Sequence, residues 1–139
     1  MTTMTTRYIF DTCLLLFLGE FGAEVSPGAR QVLDAPDGLF HVSAISAWEI
    51  GLLVAKGRLR LTRPPLDWFR DFCNEQDLAV LETTPAILVA ASFLPEPLHG
   101  DPADRILIAT ARELDLTIIT RDRAVLAYGA AGHVKTLAC

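Results

Sequence analysis

Asp11 after RYIF, Glu49 within SAISAWEI, Asp104 within DPADRILIATA and Asp122 after TIIT are carboxylates placed where a helix begins, or passes, beside the end of an apolar run. They are far apart in the chain. They become neighbours if the apolar runs are parallel strands, because open α/β sheets gather ligands outside the C-terminal ends of their strands. Two carboxylates about 4 Å apart repel by roughly 4 kcal/mol at an effective dielectric of ~20, against a total domain stability of about 5–15 kcal/mol. Such a cluster requires a cation. Oxygen donors without a thiolate pair, with histidine only at His41, His99 and His133, select Mg²⁺ or Mn²⁺ over zinc or copper. An ion of that kind neutralises the acids, holds a phosphate oxygen and lowers the pKa of a bound water, which are the requirements of phosphodiester hydrolysis. No serine–histidine or cysteine–histidine spacing offers a competing nucleophile.

Each acid also has a plainer use. Asp11 can cap the helix that follows it, where a carboxylate accepts otherwise unpaired N–H groups and suits the positive end of the helix dipole. Asp101 and Asp104 stand at the N-cap and N3 positions around Pro102, and Asp101 is expected to be structural. Asp122 precedes the short apolar run AVLAY and is a plausible cap. Glu49 is the exception. It lies in mid-helix among Ile45, Ala47, Trp48, Ile50, Leu52 and Leu53, where a buried carboxylate needs partners unless the side chain reaches outward to water.

The elements that must position these acids alternate between short β-branched or aromatic runs and longer amphipathic ones, the pattern of βα units. Strands are predicted at Tyr8–Phe10, Leu39–Val42, Ala79–Leu81, Thr117–Ile119 and Val134–Leu137, and helices at Thr12–Leu18, Pro27–Leu33, Ala44–Ala55, Leu66–Glu75, Pro85–Phe93 and Pro102–Leu114. Ser26-Pro27, Thr84-Pro85 and Asp101-Pro102 each set a side-chain acceptor before a proline at the first helical position. LPEPLHGDP is expected to be an ordered connection. With 139 residues, 51% of them hydrophobic, the chain suits one domain over 1–139 that buries roughly 70% of its unfolded surface.

The opening MTTMTTR has no apolar core of signal-peptide length, and CLLLFL is too short to span a bilayer, so a cytoplasmic protein without membrane attachment is expected. Cys13, Cys73 and Cys139 form no CxxC pair, which argues against a disulfide framework and a thiolate zinc site. A net charge of −5 speaks against broad, nonspecific binding to polyphosphate, yet leaves room for a local basic rim around a metal.

Thr12, Ser43, Ser46 and Thr120 lie beside the acids. Thr12 and Ser46 are taken as supporting candidates that orient them, though capping and strand propensity account for such residues as well. Lys56, Arg58, Arg60 and Arg63 form a basic loop after the Glu49 helix, while Arg105, Arg121 and Arg123 flank the acids; phosphate contacts and ordinary ion pairs are equal alternatives for each. Trp48, Trp68, Phe69 and Phe72 fall in apolar stretches, where core packing or a dimer contact is favoured over base stacking.

FDTCLLLFL, SAISAWEIGLLVAKGRLRL, DPADRILIATA and TIITRDRAVLAYG, in this order and at these separations, resemble the PIN-domain ribonucleases, specifically the VapC-type toxins of bacterial toxin–antitoxin pairs. The likeness runs nearly end to end, and WEIGLLVAKGRLRL is its most telling part. It implies a three-layer α/β/α fold with a mostly parallel sheet of about five strands, and metal-dependent cleavage of RNA. It places the family's acids on Asp11, Glu49, Asp104 and Asp122, with Asp101 in an accessory position. It further implies a homodimer, and a cognate antitoxin whose tail occupies the acidic groove, often with a basic side chain. One departure stands out: the subgroup's usual Asp-Thr-His is here Asp11-Thr12-Cys13. Cys13 is expected to be a small buried replacement, the alternative being an oxidisable thiol beside the metal.

The sequence therefore points to a Mg²⁺- or Mn²⁺-dependent endoribonuclease acting as the toxin of such a pair, with water activated by the metal because no side chain offers a general base. Two other readings compete. Asp11 could accept a phosphoryl group in a receiver-like or phosphatase-like domain, although Cys13 breaks the Asp-x-Asp pair and no lysine ends a late strand. Alternatively, the acids are caps on a non-catalytic protein-binding module.

Overall fold

The computed structural model describes residues 6–22, 24–98 and 100–139. The opening MTTMT and His99, which belongs to the expected LPEPLHGDP connection, lie outside the described residues. Five strands, β1 (Arg7–Phe10), β2 (Leu39–Ser43), β3 (Ala79–Leu81), β4 (Thr117–Thr120) and β5 (Lys135–Ala138), form one sheet in the order β3-β2-β1-β4-β5. Every pairing is parallel.

Parallel neighbours need long crossovers, which cover both sheet faces with helices. These are α1 (Thr12–Leu16), α2 (Pro27–Leu33), α3 (Ala44–Ala55), α4 (Pro65–Glu75), α5 (Pro85–Ser92), α6 (Pro102–Leu114) and α7 (Arg123–Ala130). Side chains alternate across a strand, so neighbouring residues serve opposite cores. Ile9 and Ile118 pack with Ile87, Leu107, Ile108 and Val125. Phe10 and Ile119 pack with Leu14, Ile50, Trp68, Phe69 and Phe72. The result is three layers, α/β/α.

The expected caps form as the prolines imply. Ser26 Oγ accepts from the Ala29 N–H at 3.1 Å, Thr84 Oγ1 from Ile87 at 3.2 Å and Asp101 Oδ1 from Ala103 at 3.0 Å. Two expectations need correction. The helix predicted at Thr12–Leu18 is α-helical only to Leu16 and widens into a π-turn over Phe17–Phe21. Gly19 in that turn lies so close to α4 that a Cβ there would stand 2.7 Å from the Trp68 ring. Its neighbour Glu20 accepts from the Trp68 indole N–H at 3.0 Å. The second correction is α7, absent from the predicted helices: its apolar run is short, and only its cap, Asp122, announced it. Among the described residues no helix is long and apolar enough to cross a membrane.

At Gly129 of α7, an added Cβ would meet the Thr136 side chain of β5 at 2.5 Å. Alanine gains up to about 1 kcal/mol of helix propensity there, but overpacking costs typically about 1–3 kcal/mol. Gly129→Ala should therefore lower the urea midpoint, and Gly129→Ala with Thr136→Ala should recover it.

Candidate functional site

Register brings the site together. Phe10 of β1 stands opposite Val42 of β2 and Ile119 of β4, so the residues that follow, Asp11, Ser43 and Thr120, leave the sheet at one level. Asp11 is the N-cap of α1: its Oδ1 accepts from the Leu14 N–H at 2.7 Å. Its Oδ2 accepts from the Thr120 hydroxyl. Capping and a place in the acidic cluster thus coexist in one carboxylate, which is only 7% exposed.

Ser43 caps α3, accepting from the Ile45 N–H at 3.1 Å. Ser46 and Glu49, one turn apart on that helix, then face α1. The Thr12 hydroxyl bonds Ser46 Oγ at 2.9 Å and donates to Glu49 Oε1. One hydroxyl proton serves one acceptor, so when it goes to the carboxylate, Ser46 becomes the donor to Thr12. Glu49 is half-buried and held from α1, so it does not simply reach outward to water.

Asp101 caps α6 and accepts from both Ala103 and Asp104 N–H groups, at 3.0 and 3.1 Å, which sets Asp104 in the first turn. Asp122 caps α7, accepting from Val125 at 3.0 Å. Its own N–H donates to Thr120 Oγ1 at 3.0 Å. Thr120 is fully buried and therefore joins the Asp11 carboxylate to the Asp122 turn. It was not among the supporting candidates, because a threonine ending a β-branched strand is already explained by strand propensity. The available signal was its position two residues before Asp122.

The acids sense one another. Burial, above all, pushes the Asp11 pKa up, and the Asp122 charge adds to it; the Thr120 and Leu14 hydrogen bonds and Arg121 pull it back. Burial likewise raises Glu49, with Asp101 and Asp11 adding and Thr12 opposing. Cys13 reports on the whole set. Its thiol is pushed up to about 11, first by burial and then by the charges of Asp11, Glu49, Asp104 and Asp122. The thiol is partly shielded by its neighbours while the residue as a whole is exposed, which corrects the expectation of a small buried replacement. A thiol so far from ionised at neutral pH is also a poor nucleophile.

Among the described residues, no group of three or more His, Cys, Asp and Glu side chains is already gathered into a metal-binding set. The acids share one edge without closing on a point, and part of the reason is that Asp11, Glu49, Asp101 and Asp122 each have an oxygen engaged in a cap or a hydroxyl bond. Their chemistry still fits a hard divalent cation: all are oxygen donors, and their mutual repulsion is what such a cation relieves.

A cleft of about 420 Å³ opens beside them, lined by Thr12, Glu49, Trp48 and Asp101 and, past the end of α3, by Lys56 and Arg58. The other basic residues are largely occupied in structure. Arg63 pairs with Asp71. Arg105 donates to the Ala91 carbonyl at 3.0 Å and lies 3.7 Å from Glu96. Arg121 donates to the Glu24 carbonyl and sits 4.8 Å over the Phe17 ring. Trp68, Phe69 and Phe72 are core residues, whereas Trp48 is 50% exposed.

A parallel sheet in this order with carboxylates along its C-terminal edge defines a three-layer α/β class with an acidic rim, and residues 8–130 match the PIN domain family; the chain belongs to that family. It is 33% identical over 123 residues to Ribonuclease VapC22 of Mycobacterium tuberculosis, covering 88% of this chain and 92% of that one. Its fold is similar to a solved VapBC2 structure from Rickettsia felis bound to a promoter DNA fragment, with TM-score 0.71, 12% identity and coverage of 96% and 98%. VapBC-5 from Mycobacterium tuberculosis is a second structural likeness, with TM-score 0.63, 15% identity and coverage of 96% and 99%. Family membership leaves the receiver-like reading of Asp11 without support.

The raised pKa values of Asp11 and Glu49 have a measurable sign. A carboxyl whose pKa rises on folding binds its proton more tightly in the folded chain, so its ionisation opposes folding as pH climbs from the ordinary values of 3.8 and 4.5 through the folded ones. In metal-free buffer, the stability of Asp11→Asn relative to the parent should therefore increase as pH rises through that window. Thr120→Val removes a bond that holds the Asp11 pKa down, and should shift the window upward. Denaturation curves taken at successive pH values check both; a difference independent of pH contradicts the coupling.

Proposed function

We propose that this chain is the ribonuclease toxin of a toxin–antitoxin pair, cleaving RNA phosphodiester bonds with Asp11, Glu49, Asp104 and Asp122 as its metal ligands. The observation that carries the assignment of residues is the shared register of β1 and β4, which sets Asp11 beside Thr120 and the Asp122 turn at the C-terminal edge of the sheet, with Glu49 bonded from Thr12 of α1. The reaction is supported by the 33% identity to a relative named a ribonuclease. The antitoxin partner is supported by the fold's likeness to VapBC proteins.

Bound among the acids, Mg²⁺ or Mn²⁺ would supply positive charge for the phosphate and acidity for a water. The chain's own residues prepare that place. Asp11, fixed by Leu14 and Thr120, needs little rearrangement when a charge arrives, which is where a preorganised site gains its advantage. Thr12, backed by Ser46, holds Glu49 on the facing helix. Asp101 supports Asp104 through the α6 cap. Lys56 and Arg58 in the cleft suit phosphates flanking the scissile one. A cognate antitoxin occupying the same acidic groove would inhibit by covering it, and a homodimer in the cytoplasm completes the reading.

The competing account, in which the acids are caps on a protein-binding module, is favoured by the cap bonds themselves. Asparagine separates the two, since it caps helices about as well as aspartate. Asp11→Asn and Asp104→Asn should each lower Mn²⁺-dependent RNA cleavage by about 100-fold or more. Each should also lose the rise in melting temperature that Mn²⁺ gives the parent, while the metal-free variants are no less stable than the parent. Unchanged cleavage and unchanged response to Mn²⁺ would favour the module.

A further inference from the structure

We propose that Trp48 is a stacking platform for a nucleobase beside the cleavage site, an inference that rests on the ribonuclease reading above. The chain has two tryptophans, and they differ sharply. Trp68 is 2% exposed and belongs to the core, whereas Trp48, next to Glu49 on α3, is 50% exposed. A large ring left half exposed is not explained by packing within the single chain. It does line the cleft that Glu49 and Thr12 also line.

The following turn leaves space at one position. Gly51, three residues on, has open space where a Cβ would be, and residues three apart on a helix are surface neighbours. No side chain at that position competes for the space outside the helix, so a flat ligand has room to approach the half-exposed ring.

Charge along the cleft identifies that ligand. Glu49 and Asp101 mark the acidic part, where the cation and the scissile phosphate belong. Lys56 and Arg58, both exposed, line the part past the end of α3, roughly 10 Å along the helix from Glu49 at 1.5 Å per residue. Leu52 and Leu53 line the cleft between them without charge, and Trp48 stands level with Glu49 at its acidic end. A single strand whose phosphate is held at the acids and whose next phosphates reach Lys56 and Arg58 would bring a base beside Trp48, and basic side chains combined with an aromatic ring are how proteins hold single strands without reading their sequence. Trp48 is thus a positioning residue for substrate and not a member of the acidic centre.

The buried Trp68 gives a steady background against which Trp48 emission is read. In stopped-flow mixing with Mn²⁺ present, an adenosine 12-mer RNA should quench the parent's fluorescence before cleavage. An abasic 12-mer with the same phosphates should not, and Trp48→Phe should abolish the change. In steady state, Trp48→Ala should raise KM by about 5- to 150-fold with kcat unaltered, and Trp48→Phe should restore most of the loss. A parent that cleaves RNA while Trp48→Ala keeps the parental KM and no quench is seen overturns this inference and leaves the ribonuclease reading intact. A parent that neither cleaves RNA nor is quenched overturns both. A quench given by an antitoxin peptide and not by RNA assigns the cleft to the protein partner and overturns the stacking role.

Discussion

The level register of β1 with β2 and β4 is the constraint on which the whole site depends. Because Phe10 is paired with both Val42 and Ile119, Asp11, Ser43 and Thr120 emerge side by side, and three chain segments remote in sequence can exchange hydrogen bonds. Side chains alternate with a period of two, so a slip of one residue would send Ile118 and Ile119 to the wrong cores as well as separating Thr120 from Asp11. The two hydrophobic layers therefore lock the register, and the register sets the chemistry.

What the sheet brings together, electrostatics resists. Burial raises the pKa of Asp11 and of Glu49, and neighbouring carboxylates raise each further. The chain counters with hydroxyl and N–H donors, chiefly Thr120 and Leu14 on Asp11 and Thr12 on Glu49. Charge-assisted bonds of this kind contribute about 1.5–3 kcal/mol each, of the same order as the repulsion between two nearby carboxylates at an intermediate dielectric. The fold can therefore carry the acids without a cation, at a cost that a cation would remove. At Asp11, Asp101 and Asp122 helix caps and site geometry are the same bonds seen from two sides, which is why these acids have a plain structural account and Glu49 does not.

Most of the architecture is legible in the sequence for local reasons. Parallel strands buried on both faces read as short apolar runs, and Ser-Pro, Thr-Pro and Asp-Pro pairs mark helix starts because a capping oxygen followed by a fixed φ is a local signal. The starts of α2, α5 and α6 follow from it. What was not legible depends on tertiary contact. The π-turn after Leu16 is shaped by α4 pressing on Gly19. Helix α7 has too short an apolar run to announce itself. Thr120 reaches Asp11, 109 positions away, as well as the neighbouring Asp122 turn, and the half-exposed state of Trp48 was hidden among aromatics that do belong to the core. The family resemblance supplied the roles of the four acids; residue spacing alone supplied only their candidacy.

Convergence of the acids around a divalent cation is the claim from which cleavage, inhibition and substrate placement all follow. Crystals soaked in Mn²⁺ and measured at a wavelength where manganese scatters anomalously test it most directly. The account requires a peak within coordinating distance of Asp11 together with at least one of Glu49, Asp104 and Asp122, at the C-terminal edge of β1 and β4. A site fully accessible to the ion that shows no peak there, or a peak held by acids elsewhere on the surface, would contradict it.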